Sequence, residues 1–458
     1  MPHPEKKADG VRRNVVCPPP PGFEADLQKL AEATARVFPI PARHRADLPS
    51  AIRDLSRILT VRRAELARPY WAWPRLTAAY LCYFLPWNIC RLSRLLPGLD
   101  LGLRPGAVAL DLGSGPLTLA LALWCARPEL RHVPLEFICA DSAKLPLEIG
   151  ADILREMTGK NCPWRIRLMH SPKGLFPPGA LGAGADLLTI LNVLNETDGK
   201  PETQKPGAGL EAVAKKAGRA LRPGGRLFLL EPGTRLGGKL VAMARKEAIA
   251  RDFHTLSPCT HDAPCPFLPR FETGWKKDAK PGKTPSGWCH FTCVANAVPE
   301  DLLRLGKLAG LPKENLAFSF LHLEMNAQQM RQTDLSLAPR RPGTAPARII
   351  NPHGGREKRK SEDPAGAGKH SGLGDTAMDL RIVSGPIALP GQKQSARYAC
   401  SGAGLVLLTR ATRLPSGAGV RGTPARKPEK NSQGATAVDG KSGLPVFSPI
   451  PGPDNHLY

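Results

Sequence analysis

The composition of the chain sets its outer limits. With 458 residues it is long enough for two or three domains, and its 45 Gly and 48 Pro indicate extended linkers. Its 64 Lys and Arg against 40 Asp and Glu give a net charge of +24, which attracts polyanions and makes nucleic acid the expected partner class. The uncharged stretch 76–90 is shorter than the roughly 20 residues that span a bilayer, and no secretory signal opens the chain. We therefore expect a cytoplasmic protein with no membrane partner.

The first hundred residues are predicted to be helical after a disordered start at 1–22. Over 23–100, apolar residues recur at helical spacing, as at Leu27, Leu30 and Ala31. Arginines also crowd the polar faces of this region, which indicates either a solvated surface or a docking surface. These arginines are Arg53, Arg57, Arg62, Arg63, Arg68, Arg75, Arg91 and Arg94.

The pattern changes over residues 101–235. Short apolar runs that end in Gly or Asp alternate with helical stretches, which is typical of βαβ units in a parallel sheet. The predicted strands are 107–111, 135–141, 165–169, 185–191 and 225–231. Helices are predicted around 117–126, 143–157 and 208–220. The expected fold class is therefore α/β, with a doubly wound sheet of five parallel strands.

Four further regions are expected beyond this sheet. Residues 236–338 are predicted to form a cysteine-rich region that completes the sheet, with helices near 238–250 and 299–309 and a strand at 317–323. Residues 339–376 contain too little apolar sequence to fold and are expected to be a basic disordered insertion. Strand character returns over 377–410, and 411–458 is expected to be a disordered tail.

A glycine-rich turn follows the first predicted strand, in the segment Asp111-Leu-Gly-Ser-Gly-Pro-Leu-Thr. It has neither the G-x-G-x-x-G pattern of a dinucleotide site nor the G-x-x-x-x-G-K-[ST] pattern of a phosphate loop. The segment resembles the S-adenosylmethionine motif of Rossmann-like class I methyltransferases. This resemblance implies a cofactor site formed by Asp111, Gly113, Gly115, Asp141 and Asn192.

Two of these residues have specific expected positions. Asp141 ends the second strand, where a carboxylate can accept hydrogen bonds from ribose hydroxyls. Asn192 follows the fourth strand, at the edge where a substrate would lie. The chain departs from the family pattern at Leu117, which replaces the usual third glycine and is expected to crowd the methionine part of the cofactor.

No catalytic residue can be assigned from the sequence. The segment from Asn192 to Glu196 lacks the Pro-Pro-aromatic sequence of aminopurine methyltransferases and the Pro-Cys of the cysteine-dependent class. Whether the chain is an enzyme therefore stays open. A catalytically silent binding protein is the alternative.

Four cysteines are candidate metal ligands: Cys259, Cys265, Cys289 and Cys400. Thiols remain reduced in a cytoplasmic protein, so metal binding is favoured over disulfides. Paired zinc knuckles are missing, whereas cluster ligation by four thiolates tolerates irregular spacing. We therefore prefer four thiolates to a zinc site with three cysteines and a histidine, for which His261, His290 and Cys293 compete as ligands.

The combined motifs resemble a known family. Pro258-Cys-Thr-His-Asp-Ala-Pro-Cys-Pro, Trp288-Cys-His-Phe and Arg397-Tyr-Ala-Cys-Ser follow the glycine turn and Leu230-Glu-Pro-Gly. Together they are similar to the methyltransferase-like assembly factors of the mitochondrial small ribosomal subunit and their bacterial relatives. The resemblance implies a [4Fe–4S] cluster on the four cysteines and binding to small-subunit ribosomal RNA. The alternatives are zinc in place of the cluster and a catalytically silent assembly factor with a structural metal site.

Overall fold

The structure is a computed structural model of the whole chain. It describes residues 15–60, 70–180, 182, 184–194, 208–268, 288–326, 378–383, 387–388, 395–402, 404–409, 418–424 and 446–449. The insertion predicted at 339–376 lies outside these residues. None of the described helices combines the length and apolar character that crossing a bilayer requires.

The N-terminal layer is helical, as the apolar spacing predicts. Its helices are α1 (Phe23–Val37), α2 (Ala42–Ala46), α3 (Leu48–Thr60), α4 (Pro74–Ala79) and α5 (Leu85–Ser93). A π-helical turn at Tyr80–Phe84 joins α4 to α5. The expected disorder at 1–22 is wrong for residues 15–22, because Val15 is buried in the core and the Cys17 amide donates to the Arg94 carbonyl at 2.7 Å.

Five parallel strands form the centre of the main sheet. They are β1 (Val108–Leu112), β2 (Glu136–Asp141), β3 (Arg165–His170), β4 (Ala185–Leu191) and β5 (Leu221–Pro232). Helices α6 (Thr118–Ala126), α7 (Lys144–Thr158) and α8 (Ala208–Ala220) lie between them in sequence. The spatial order is β3-β2-β1-β4-β5, which confirms the predicted doubly wound core. Strand order reverses beside β1, so the carboxyl end of β1 is where ligands bind in sheets of this type.

The sheet is larger and more mixed than predicted. After α9 (Arg235–Ile249) come β6 (Phe253–Ser257), β7 (Phe291–Val294), α10 (Glu300–Leu308) and β8 (Asn315–Met325). Strand β8 runs antiparallel to β5, and β6 and β7 both pair with β8 in an eight-stranded sheet. The sequence predicted β8 but neither β6 nor β7, because four or five residues are too few for a clear alternation.

A second sheet contains the C-terminal strands. Its members are β9 (Met378–Ile382), β10 (Ile387–Ala388), β11 (Ser395–Ser401), β12 (Gly404–Thr409), β13 (Gly419–Pro424) and β14 (Val446–Pro449). The expectation of disorder from 411 onward is wrong for β13 and β14. Val420 packs with Leu380 and Val406 in a small core, and these contacts between distant segments were hidden by the surrounding Gly and Pro.

Helix α7 packs directly on the turn that follows β1. A Cβ atom at Gly150 would lie 2.3 Å from the Pro116 carbonyl carbon. Gly150→Ala should therefore push the turn away and cost about 1–3 kcal/mol of unfolding free energy, measured by urea denaturation. The control is Gly218→Ala in α8, where the new Cβ would meet Phe253 at an ordinary 3.8 Å. A Gly150→Ala variant as stable as this control would contradict the close packing.

Candidate functional site

The turn after β1 has a backbone shape that favours glycine. Gly113 and Gly115 have φ values of +68° and +54°, in the left-handed region that glycine adopts most easily. A Cβ at Gly113 would also lie 2.5 Å from Val193 Cγ2. The two glycines therefore let the turn pass close beneath the loop that follows β4.

Asp111 stabilises this turn from within the core. Its carboxylate is 2% exposed and accepts hydrogen bonds from Ser114 Oγ at 2.6 Å and Thr189 Oγ1 at 2.5 Å. Burial raises the pKa of Asp111 to about 6, although the two hydroxyls lower it in part. Asp111 thus connects β1, the turn and β4 from within the core.

Asp141 lies beside the turn at the end of β2. One of its carboxylate oxygens accepts from the Gly115 amide and the other from the Ala143 amide, both at 2.9 Å. Burial raises the pKa of Asp141 even though these amides stabilise its charge. A carboxylate has about four acceptor positions, so these two bonds leave capacity for ligand hydroxyls.

The loop after β4 contributes an acceptor that lacks a donor. Asn192 has a φ of +60°, and its buried Oδ1 has no hydrogen-bond partner among the described residues. The Leu194 amide donates to Glu231 Oε1 at 2.8 Å, which fixes the loop to β5. Buried polar atoms are seldom left unpaired, so this amide oxygen is a candidate for a ligand contact. Asn195 and Glu196 lie outside the described residues.

Leu117 does not stand in an open cleft. Its side chain is completely buried and belongs to the main apolar core. The residue adopts a φ of +53° at the start of α6, which costs an ordinary side chain about 1–2 kcal/mol. Leu117 therefore affects the turn through its backbone conformation, since its side chain points into the core.

The four candidate cysteines come together from three segments. Cys259 and Cys265 follow β6, Cys289 precedes β7, and Cys400 lies in β11. Burial raises the pKa of all four thiols, to about 11 for Cys265, and charge on a neighbouring member of the group raises the pKa of Cys265, Cys289 and Cys400 further. Every pair within the group interacts in this way.

Hydrogen bonds from side chains to backbone carbonyls hold these segments in place. Arg381 Nε donates to the Pro258 carbonyl at 2.9 Å, and Ser319 Oγ donates to the Cys289 carbonyl at 2.8 Å. His261 Nε2 lies 3.4 Å from Cys400 Sγ. The second sheet is thereby fastened to the cysteine segment of the first.

Arg245 is the cation that all four thiols share. Its side chain in α9 is 3% exposed, its Nη2 donates to the His261 carbonyl at 2.6 Å, and its Nε has no partner among the described residues. Its charge lowers the pKa of each of the four thiols in part. A buried cation needs a counter-charge, so this position favours an anionic group among the cysteines.

Of the other candidate ligands, His261 contacts Cys400, whereas Cys293 and His290 have other partners. The Cys293 thiol interacts with Arg94, Arg91 and Cys90, and His290 stacks on Trp288 with ring centroids 4.9 Å apart. Among the described residues, no three His, Cys, Asp or Glu side chains stand close enough to hold a single metal ion. The grouping thus separates the four cysteines from Cys293 without forming a single-ion site.

Comparison with known proteins identifies the family. The family profile described as "Mitochondrial small ribosomal subunit Rsm22" matches residues 102–362, which is more than half of the chain. The chain belongs to this family. The Rsm22 match spans β1 to β8 and contains Cys259, Cys265 and Cys289, but it ends before Cys400. The family description names the mitochondrion, and the cytoplasmic location expected from the sequence stays a prediction.

Solved structures similar to this Rsm22 family member include methyltransferases. One from Pyrococcus furiosus is 18% identical, covers 33% of this chain and 68% of its own, and has a TM-score of 0.26. Another, from Aquifex aeolicus, is 13% identical and has a TM-score of 0.23; the match covers 31% of this chain and 65% of that protein. Geranyl diphosphate methyltransferase is 10% identical and has a TM-score of 0.28; the match covers 52% of this chain and 84% of that protein. No curated protein matches the chain.

The raised pKa of Asp111 predicts a pH dependence of stability. The folded carboxyl binds its proton up to about pH 6, whereas its ordinary pKa is 3.8. The protonated Asp111 carboxyl therefore makes its full contribution to the free energy of unfolding below pH 3.8. This contribution is lost as the pH rises towards 6. Relative to Asp111→Asn, the wild type should lose up to about 3 kcal/mol over this range, measured by urea denaturation. If the unfolding free energy of the wild type minus that of Asp111→Asn stayed constant or grew with pH, the raised pKa of Asp111 would be wrong.

Proposed function

We propose that the chain is an S-adenosylmethionine-dependent, methyltransferase-like protein that binds small-subunit ribosomal RNA and carries a [4Fe–4S] cluster. The family membership supports a role at the small ribosomal subunit. The net charge of +24 supports RNA as the partner, because cations displace the counterions of a phosphate backbone. Methyl transfer to that RNA is the reaction that the cofactor would supply.

One observation carries the cofactor assignment. The Gly115 amide and the Asp141 carboxylate meet where the strand order of the sheet reverses. At this edge the carboxylate would bind the ribose hydroxyls, and glycine would let the nucleoside approach the backbone. The unpaired oxygen of Asn192 adds an acceptor for the amino groups of the cofactor. Asp111 would act indirectly, since its oxygens already accept from Ser114 of the turn and Thr189 of β4.

The cysteine group fits an anionic cluster. Four thiols interact with each other and with the buried guanidinium of Arg245, which would offset part of the negative charge of a thiolate-bound cluster. Four thiolates are the usual ligand set of such a cluster, which tolerates irregular spacing along the chain. These features favour Cys259, Cys265, Cys289 and Cys400 as cluster ligands over a zinc site. Such a cluster would join the two sheets.

Calorimetry with S-adenosylmethionine tests the cofactor site. The wild type should bind, and Asp141→Ala should weaken binding by about 1.5–3 kcal/mol because a charged acceptor is lost. Asp152→Ala is the matched control, since Asp152 is an exposed carboxylate on α7 that pairs with Arg155 at 2.5 Å. An Asp141→Ala variant that binds like this control would refute the site. A wild type that does not bind would favour the catalytically silent alternative.

Metal analysis of anaerobically purified protein tests the cluster. Cys400→Ser should lose iron and the brown colour of the wild type, and should also loosen the second sheet, because metal binding contributes directly to folding. Cys293→Ser is the control, because Cys293 lies near α5 and outside the interacting group, and it should keep its iron. Wild-type protein that holds zinc and no iron would overturn the cluster assignment.

A further inference from the structure

The arginines of the N-terminal layer differ in how their charge is balanced. Arg75 forms ion pairs with Asp47 and Asp54. Arg53 donates to the Leu308 carbonyl at 3.4 Å. Arg57 is exposed, whereas Arg91 and Arg94 are half-buried at the end of α5. Only the last two combine partial burial with the absence of a carboxylate partner among the described residues.

Arg91 and Arg94 are held by neutral groups. Arg91 Nη1 donates to Asn88 Oδ1 at 2.5 Å, and Arg94 Nη1 donates to Asn296 Oδ1 at 2.7 Å. The Nε atoms of both arginines are buried and lack an acceptor among the described residues. Amide oxygens orient a guanidinium without cancelling its charge. Both cations are therefore fixed in position, and no carboxylate among the described residues opposes their charge.

Lys313 adds a third positive charge. Its Nζ lies 5.8 Å from the centre of the Tyr83 ring, and Tyr83 Oη donates to the carbonyl of Leu311 at 2.5 Å. Burial and the nearby charge of Arg91 lower the pKa of Lys313 to about 8. Like charges in a partly buried place repel each other, and this cost would be relieved by a bound anion.

Of the three cations, Arg91 is linked to the turn that follows β1 through Tyr80. Arg91 interacts electrostatically with the Tyr80 hydroxyl in the π-helical turn. That hydroxyl is 3.9 Å from the position a Cβ would take on Gly115. Tyr80 thus lies between Arg91 and the proposed cofactor site.

We propose that Arg91, Arg94 and Lys313 form a phosphate-binding site for the RNA backbone. Guanidinium groups suit phosphate because their fixed fork matches its oxygens, and an excess of cations over carboxylates is what a polyanion requires. A phosphate held here would bring the adjoining nucleotide towards the turn after β1. This inference rests on the proposed function in taking RNA as the partner.

Fluorescence anisotropy with two labelled probes tests the site in the full-length protein. The probes are a single-stranded oligouridylate and purified small-subunit ribosomal RNA, each titrated at several salt concentrations. The variant is Arg91→Gln/Arg94→Gln. The control is Arg43→Gln/Arg57→Gln, which removes the same charge from exposed arginines of the same layer. Circular dichroism establishes that each variant folds.

The expected result is at least a tenfold loss of affinity for both probes at low salt in the Arg91→Gln/Arg94→Gln variant. Its salt slope should also fall by about 1.4, since each phosphate contact with a single strand contributes about 0.7. Equal affinity of this variant and the control would overturn the phosphate site while leaving RNA binding intact. A wild type that binds neither probe would instead overturn the proposed function.

Two additional measurements keep the test decisive. If the double arginine variant does not fold, the RNA affinity of Lys313→Gln is compared with that of Lys307→Gln, a control at an exposed lysine. Calorimetry with inorganic pyrophosphate distinguishes RNA from a small phosphorylated ligand. Strong binding of pyrophosphate with no competition against RNA would overturn the assignment to the RNA backbone.

Discussion

The antiparallel pairing of β8 with β5 is the constraint on which the rest of the structure depends. Its register runs from Arg226 opposite Glu324 to Pro232 opposite Phe318. On the β5 side, Glu231 fixes the loop that carries Asn192. On the β8 side, Ser319 holds the Cys289 carbonyl, and the segment just before β8 carries Lys313 and meets Tyr83. Because a slip of one residue turns every side chain to the opposite face, this single register sets all three sites.

Two buried charged side chains lie at these sites. Asp111 accepts hydrogen bonds from hydroxyls of the turn and of β4, and Arg245 is buried among thiols. Each is costly to bury, and apolar side chains would fill the same space at less cost. Perturbed groups of this kind cluster where proteins bind ligands, so the core of this chain is organised around binding as well as stability.

Local chemistry explains which parts could be predicted from the sequence. Gly113, Gly115 and Asp141 belong to short segments whose strand, turn and carboxylate follow one another in the chain, and the structure assembles them as one turn. Arg245 was missed because its importance depends on three distant segments. A signal was present, since Arg245 lies on the buried face of α9 with Val241 and Ala248, where an arginine is unusual. Strands β6, β7, β13 and β14 were missed because their pairing partners are far away in sequence.

The distribution of positive charge separates two contributions to the proposed RNA binding. The net charge of +24 attracts any polyanion from a distance and carries no positional information. Arg75 contributes little to this attraction, because Asp47 and Asp54 already neutralise it. Arg91 and Arg94 differ because amide oxygens fix their direction while leaving their charge unopposed. In the proposed site, orientation of a bound strand would therefore depend on these few fixed cations, and the larger number of exposed lysines and arginines would mainly govern how fast and how strongly RNA is attracted.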